Sequence, residues 1–323
     1  MAPIIHCVRH AQGFHNLGVE FHSLPDPKLT PLGEEQCAKL RANSFPDQSH
    51  LNLITSSPLT RTLHTAFSTF EPALKNGHCK SEILALPDTQ ETSDYPCDTG
   101  SDVEKLQEIC KEHKWPVNLD LVQKGWNVKT LENRYSPASD AIKARARDAR
   151  TRIRQQAREL MDHGVQDPQI VLVTHGGYLH YFTDDWEDAG KLNGTGWENT
   201  ETRAYTFEND PTTDDDDHAW LVETEASRKK RGIVKPQLGH KEQEKYFQLC
   251  MQGWEDQGLQ RPDRIGKGEK LGRMSRDEEL DGVPEGVVKA EGGEKGQPDA
   301  RGQEPAAKNM TQVGEKSQVN GAA

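Results

Sequence analysis

The sequence has no long apolar run and no excess of positive charge, and each absence excludes a class of binding partner. None of its apolar stretches approaches the length that a helix needs to cross a bilayer, so we expect no membrane contact. The formal net charge of −12 opposes general affinity for nucleic acid or for an anionic membrane surface. Any site for an anion must therefore be a local concentration of positive groups.

Cysteines are few and widely spaced. The 6 cysteines form no CxxC pair, so the sequence indicates no zinc module. The N-terminal apolar run is too short for a signal peptide and follows no basic residues. We therefore expect a soluble cytoplasmic protein with reduced thiols. The basic run Arg228–Arg231 could also be a nuclear localisation signal, although the solvent-exposed edge of a helix explains it more simply.

Large apolar residues are scarcest at the C-terminal end. Hydrophobic residues make up 33% of the chain and charged residues 28%, and residues 255–323 show no periodic apolar face. A segment of that composition cannot bury enough surface to offset the entropy cost of ordering it. We therefore predict a domain over residues 1–254 and a disordered polar tail over residues 255–323.

Within that domain, short apolar runs alternate with amphipathic helical patterns. Strands are predicted at residues 4–8, 51–55, 83–86 and 169–175, followed by a hairpin over 201–207 and 219–225. The clearest helix covers residues 139–162, and its arginine-rich side is expected to face solvent. Strands that alternate with helices indicate an α/β fold with a mostly parallel sheet. We interpret region 100–137 as a lid or insertion.

Three helix starts are marked by residues that commonly cap helices. Thr30 and Pro31 begin one helix, and a serine followed by Pro58 begins the next. Ser101 and Glu104 have the spacing of a capping box, which predicts that a third helix starts at Ser101.

Charged side chains follow four of the predicted strands. They are Arg9 and His10 after the first strand, Arg61 after the second, Glu91 after the third and His175 at the end of the fourth. The carboxyl ends of parallel strands meet at the edge of the sheet where ligands bind. Arginine forks match the oxygens of a phosphoryl group, and fixed donors of this kind stabilise its charge during transfer. The pattern therefore indicates a phosphoryl-transfer site.

Each of these residues also has a simpler explanation. Arg61 could only pair with a nearby acid, and His175 could be a core histidine whose hydrogen bonds are satisfied. Coincidence at four strand ends is the less economical explanation. A metal site is disfavoured because the pairs His10…His15 and His175…His180 lack both the i, i+4 spacing and an attendant carboxylate.

Five sequence elements, in this order, resemble the histidine phosphatase superfamily. They are Arg9-His10, Asn16 six residues after that histidine, Ser57-Pro58-Leu59-Thr60-Arg61, Gln90-Glu91 and Val173-Thr174-His175-Gly176-Gly177. The resemblance covers about residues 3–225 and is nearest to the phosphoglycerate mutase-like branch, particularly its fungal members. Ala11 departs from the pattern, since many relatives have glycine there, and we expect it only to narrow the loop.

The resemblance implies a three-layer sandwich in which a mostly parallel central sheet is flanked by helices. It also implies that His10 is the nucleophile and forms a phosphohistidine. The groups that would hold the phosphoryl oxygens are Arg9, Arg61 and His175, with a further hydrogen bond from Asn16. His10 must be neutral to attack, and flanking arginines favour that state because they disfavour a further positive charge.

Glu91 would protonate the leaving oxygen and then activate the water that hydrolyses the intermediate. For this role the pKa of Glu91 must be raised by partial burial, and nearby arginines would oppose that shift. Asp94 and Asp98 are the alternatives if the loop places Glu91 badly.

The combined interpretation is a metal-independent phosphatase without a cofactor, acting on small phosphate monoesters or anhydrides. Its partner would be a small phosphorylated metabolite, and the sequence indicates no oligomeric state. A phosphoglycerate-type mutase would use the same phosphohistidine but return the phosphoryl group to the substrate. A non-catalytic relative would keep the pocket only to bind phosphate.

Overall fold

The computed structural model of the protein describes residues 2–187, 189, 195–210, 212 and 217–267. In these residues the strands are β1 Ile4–Arg9, β2 Leu53–Ser56, β3 Ile83–Ala85, β4 Val117–Asn118, β5 Gln169–Thr174, β6 Thr202–Phe207 and β7 Leu221–Glu223. The α-helices are α1 Pro31–Ser44, α2 Thr60–Lys75, α3 Val103–His113, α4 Ser139–Asp162, α5 Gly176–Thr183, α6 Glu225–Lys230 and α7 His240–Asp256. None of these helices is both long and apolar enough to cross a membrane.

The strands form one sheet in the order β4-β3-β2-β5-β1-β6-β7. Strands β1 to β5 pair in parallel, whereas β6 runs antiparallel to β1 and pairs with β7 as the predicted hairpin. The central strands β1, β5 and β2 are neighbours, so their carboxyl ends lie side by side. The predicted mostly parallel α/β sheet is confirmed.

Helices cover both faces of this sheet. On one face, α1, α2 and α3 share a core with Val171 and Val173 of β5. On the other face, α4, α5 and α7 pack against Ile170 and Leu172 of the same strand. A strand that is apolar on both faces is what a sheet between two helical layers requires. The three-layer sandwich is therefore confirmed.

Region 100–137 is part of the domain core. Strand β4 extends the sheet at its edge beside β3. Trp115, Val122 and Trp126 are buried in the same core as α2. These aromatic rings pack in that core, so of the two predicted alternatives, a lid or an insertion, the contacts favour an insertion.

The helix starts agree with the prediction at α1 only. Thr30 accepts a hydrogen bond from the Gly33 backbone N–H, as predicted for an N-cap. Helix α2 begins at Thr60 without a serine cap, because the Ser57 hydroxyl contacts His175 instead. Helix α3 begins at Val103, and the Ser101 hydroxyl donates to the side chain of Asp26. The predicted serine cap of α2 and the predicted capping box at Ser101 are therefore wrong.

The first part of the segment predicted as tail contacts the domain. The Ser139 backbone N–H donates to the Pro262 carbonyl at 2.9 Å, and Ile265 is buried. Residues 255–267 therefore belong with the domain, beyond the predicted boundary at residue 254. The remainder of the predicted tail, residues 268–323, lies outside the described residues.

Asp26 caps α2 from a distant loop. Its carboxylate accepts four hydrogen bonds, from the backbone N–H and hydroxyl of Thr60 and from those of Ser101. A negative charge there also complements the positive end of the α2 dipole. We expect Asp26→Ala to lower the free energy of unfolding by about 3 kcal/mol, because buried donors lose their acceptor. Urea denaturation should show no comparable loss for the exposed control Asp120→Ala.

Candidate active site

His10 follows β1 directly and is oriented by two backbone carbonyls. Its backbone N–H donates to Thr174 O at 2.8 Å, which ties it to the end of β5. Its ring Nδ1 lies 2.7 Å from Ala11 O. A carbonyl can only accept, so Nδ1 carries the proton and Nε2 keeps its lone pair. Burial, Arg61 and Arg9 lower the pKa of His10 well below its ordinary value of 6.5, so the imidazole is neutral.

Arg61 lies in the first turn of α2, fully buried beneath His10. Its Nε donates to His10 Nε2 at 3.3 Å, and its two terminal nitrogens donate to Cys97 O at 2.5 Å and to Asp98 Oδ1 at 2.9 Å. A further contact of 3.1 Å joins it to His175 Nδ1. The guanidinium therefore links both histidines to the loop that carries Asp98.

His175 lies beside His10, with 5.2 Å between the ring centroids. Its Nδ1 accepts from Arg61, because a guanidinium can only donate, so its Nε2–H donates to the Ser57 hydroxyl at 2.9 Å. Burial and then Arg61 lower the pKa of His175 well below its ordinary value. The structure thus brings two neutral imidazoles and a guanidinium together. Sequence reasoning did not assign Ser57 a function beyond the helix start.

Arg9 and Asn16 lie in the wall of the cavity above His10. Arg9 donates one terminal N–H to the Trp197 carbonyl, while its buried Nε has no partner among the described residues. The Asn16 oxygen accepts from the Gly13 backbone N–H at 3.1 Å, which fixes the amide so that its NH2 group points to His15 Nε2 at 3.2 Å. Arg9 is therefore the guanidinium exposed to the cavity.

His15 is a cavity residue that sequence reasoning considered only as a metal ligand. Because its Nε2 accepts from Asn16, its Nδ1 carries the proton, and that buried N–H has no partner among the described residues. The ring centroid lies 5.3 Å from that of His10. No pattern in the sequence distinguishes His15 from an ordinary loop histidine.

The Glu91 carboxylate is held at the N-terminus of α5. It accepts from the backbone N–H groups of Thr92 at 2.9 Å, Gly177 at 3.2 Å and Tyr178 at 2.8 Å. A Cβ atom on Gly177 would lie 2.8 Å from Glu91 Oε1, so this close approach needs glycine. Burial and then Asp98 raise the pKa of Glu91, whereas the backbone N–H groups and Arg61 oppose that shift.

The two alternative carboxylates are already engaged. Asp98 forms a buried ion pair with Arg61 and accepts from the Ser93 hydroxyl at 2.6 Å. Asp94 accepts from the Gln260 side chain at 2.7 Å and does not line the cavity. Among the described residues, Glu91 is therefore the one of these three carboxylates that lines the cavity and forms no ion pair.

Two buried cations hold the backbone around Glu91. Arg145 donates to the carbonyls of Asp88, Gln90 and Glu91 at 2.8, 2.5 and 3.0 Å. Lys129 donates to Glu91 O at 2.9 Å, and burial lowers its pKa to about 7. The prediction that the arginine-rich side of α4 faces solvent is wrong at Arg145, since a helical pattern cannot show which arginines meet a carbonyl.

These residues surround a cavity of about 430 Å³. Arg9, His10, Asn16 and Glu91 line it, while Arg61 and His175 are fully buried beneath the wall. Within the described residues, no three histidine, cysteine or acidic side chains are grouped so as to hold a metal ion. The cavity combines a neutral imidazole, a guanidinium and a carboxyl group of raised pKa.

Arg145 supports the Glu91 loop without lining the cavity. We expect Arg145→Met to lower the free energy of unfolding by about 3 kcal/mol, because three buried carbonyls lose their donor. Hydrogen exchange should quicken most in residues 88–93. The matched control is Arg147→Met, an exposed arginine on the same helix. Equal effects of both substitutions would contradict the support role.

Comparison with known proteins tests the resemblance to the histidine phosphatase superfamily. The family model for the histidine phosphatase superfamily (branch 1) matches residues 5–213. Phosphoglycerate mutase-like protein 2 of Arabidopsis thaliana is 44% identical over 75 residues, which cover 20% of this chain and 22% of that protein. A phosphoglycerate mutase-like protein of the same plant is 29% identical over 199 residues, covering 54% of this chain and 72% of that protein.

A solved structure of a mycobacterial glucosyl-3-phosphoglycerate phosphatase is 16% identical, with a TM-score of 0.41, and the likeness covers 69% of this chain and 97% of that one. The chain spans about a quarter of the length of the first two curated relatives, at 22% and 27%. The family model, in contrast, matches more than half of the chain. The chain therefore belongs to the histidine phosphatase superfamily (branch 1), and the curated relatives that share its sequence are phosphoglycerate mutase-like proteins.

Proposed function

We propose that this protein is a phosphatase that hydrolyses small phosphate monoesters or anhydrides through a phosphohistidine on His10, without a metal or cofactor. The observation that carries the proposal is the state of His10. Its Nδ1–H is held by a carbonyl, its Nε2 keeps a lone pair, and the guanidinium of Arg61 lies against that nitrogen. A neutral imidazole beside a fixed cation suits attack on an anionic phosphoryl group.

In the first step, Nε2 of His10 attacks phosphorus and forms an N–P bond. The bond between phosphorus and the leaving oxygen breaks, and protonated Glu91 gives that oxygen its proton. Arg9 supplies N–H donors to the phosphoryl oxygens, and Arg61 turns its Nε–H from His10 to the arriving phosphoryl group. The products are a neutral leaving alcohol, the phosphohistidine and an ionised Glu91.

In the second step, ionised Glu91 takes a proton from a water molecule, whose oxygen attacks phosphorus. The N–P bond breaks, its electron pair returns to Nε2, and inorganic phosphate leaves. Glu91 ends this step protonated and ready for another cycle. Burial supports this role, because it raises the pKa of Glu91 and so keeps a larger fraction of the carboxyl protonated at a given pH.

His10→Ala tests the nucleophile. We expect the substitution to lower kcat/KM for an aryl phosphate by about 10⁴-fold and to abolish acid-labile incorporation of ³²P from a labelled ester. The matched control is His78→Ala, an exposed histidine outside the cavity, which should leave both readouts unchanged. Labelling that persists in His10→Ala would overturn the assignment.

The same assay separates hydrolysis from phosphoryl return. Release of inorganic phosphate from several esters, unaffected by EDTA, is the result expected for a metal-independent phosphatase. Interconversion of phosphoglycerates that depends on a bisphosphate primer would favour a mutase. Tight vanadate binding without turnover of any ester would favour a non-catalytic relative.

Glu91→Gln tests the proton donor. In the unmodified protein, kcat/KM should fall as pH rises through the pKa of Glu91, which lies above its ordinary value of 4.5, because the first step needs the protonated carboxyl. Glu91→Gln should abolish that limb of the pH profile and lower kcat/KM for alkyl phosphates by about 10²- to 10⁴-fold. The loss should be much smaller for p-nitrophenyl phosphate, whose leaving group needs no proton.

Asp94→Asn is the matched comparison for Glu91→Gln. Asp94 lies next to the Glu91 loop but outside the cavity lining, so its substitution should preserve the limb of the pH profile. If Asp94→Asn removed that limb and Glu91→Gln preserved it, the role of proton donor would pass to Asp94.

A further inference from the structure

The cavity continues outward from the reactive groups to a wall with little charge. We define this outer wall by Val19, His22, Tyr95, Leu259 and Gln260, all of which line the cavity, whereas Trp254 lies deeper, beside Gly177. Most of these side chains are apolar or aromatic. Trp254, Leu259 and Gln260 lie beyond residues 5–213, the span of the family match, so this part of the site is a feature of this chain's C-terminal segment.

The outer wall is held in place by contacts of its own. The rings of His22 and Tyr95 stack with 5.8 Å between centroids and an interplanar angle of 28°. Gln260 donates to Asp94 at 2.7 Å, and the Leu259 backbone N–H donates to Trp254 O at 2.9 Å. A preformed wall of this kind favours a ligand that presents a matching flat surface.

Val19 leaves apolar surface uncovered at the mouth of the cavity. Its side chain is 63% exposed, and the nearby Leu17 is 50% exposed. Single exposed apolar residues are common, but Val19 lines a cavity that also contains Trp254 and Leu259. A ligand with an apolar body would remove this surface from water, a gain proportional to the area that it covers.

Charge in the cavity is concentrated at the phosphoryl end. Among the described residues that line it, Arg9 is the only arginine or lysine. The acidic lining residues are Glu91 and Asp98, and Asp98 is already paired with Arg61. A second anionic group on the substrate would therefore meet neither guanidinium nor ammonium at the outer wall. Burying such a group unpaired is costly, so the cavity selects against it.

From these observations, and on the basis of the proposed function, we infer that the preferred substrate is a phosphate monoester of an uncharged alcohol with a flat apolar or aromatic body. The phosphoryl group lies at His10 and Arg9, and the apolar body lies between the His22–Tyr95 pair, Val19 and Leu259. Esters that carry a carboxylate or a second phosphate are disfavoured.

The test compares two esters that differ by one carboxylate group, both with the phosphate on a primary alcohol. They are 2-phenylethyl phosphate and its ring 4-carboxylate derivative, and inorganic phosphate release is measured for each. We expect kcat/KM for 2-phenylethyl phosphate to be higher than that for the carboxylate derivative by about 10²-fold. Glycerol 1-phosphate, whose alcohol carries no charge but has no apolar body, should also be a poorer substrate than 2-phenylethyl phosphate. Equal values, or a preference for the carboxylate, would overturn the inference.

Val19→Lys tests the same inference by adding a positive charge to the outer wall. An ammonium group at the cavity mouth should raise kcat/KM for the carboxylated ester by about 10-fold and lower it for 2-phenylethyl phosphate. The control Val234→Lys adds the same charge at a valine that is 91% exposed and outside the cavity lining, so it should change neither value. If Val19→Lys left the ratio of the two kcat/KM values unchanged, the outer wall would not be the surface that contacts the substrate.

Failure of this inference and failure of the proposed function give different results. If the unmodified protein hydrolysed none of the three esters, the phosphatase proposal itself would fall. If it hydrolysed all three through His10 without preferring the apolar ester, the phosphatase proposal would stand and the assignment of the outer wall would be wrong.

Discussion

The site depends on one buried cation, the guanidinium of Arg61. It is fully buried, and it contacts His10, His175, the Asp98 carboxylate and the Cys97 carbonyl. A buried charge that loses its partners costs several kcal/mol, so α2 and the loop that holds Asp98 must be placed together. Because a guanidinium can only donate, it also fixes which nitrogen of each histidine is free of a proton. One charge thus determines both the packing and the protonation of the site.

The same environment shifts the pKa values of His10 and Glu91, the proposed nucleophile and acid, in opposite directions. Burial lowers the pKa of His10 and raises that of Glu91, since it disfavours the charged form of either group. Arg61 reinforces the shift of His10 but opposes that of Glu91, and the negative charge of Asp98 supports the latter. The Arg61–Asp98 ion pair is therefore a compromise in which each member helps one of the two groups.

The fold, and the grouping of the candidate site residues at one edge of the sheet, could be predicted from the sequence for a single physical reason. Parallel strands present their carboxyl ends at one edge, so Arg9, His10 and His175 could be grouped once the strands were recognised. What could not be predicted depends on contacts between distant parts of the chain. Ser57 has the pattern of a helix cap but bonds to a histidine, and Arg145 has the pattern of a solvated residue but bonds to carbonyls. Local propensity cannot decide between such partners.

The proposed chemistry and the proposed substrate preference depend on different parts of the chain. The side chains that are proposed to bind the phosphoryl group follow β1, β2, β3 and β5, whose positions are fixed by the hydrogen bonds of the sheet. Leu259 of the outer wall and the deeper Trp254 come instead from the turn after α7 and from the end of that helix. A helix that packs on the sheet can change its end residues without moving a strand. A change of substrate preference therefore need not alter the proposed chemistry, because the outer wall makes no hydrogen bond to the sheet within the part of the chain that the structure describes.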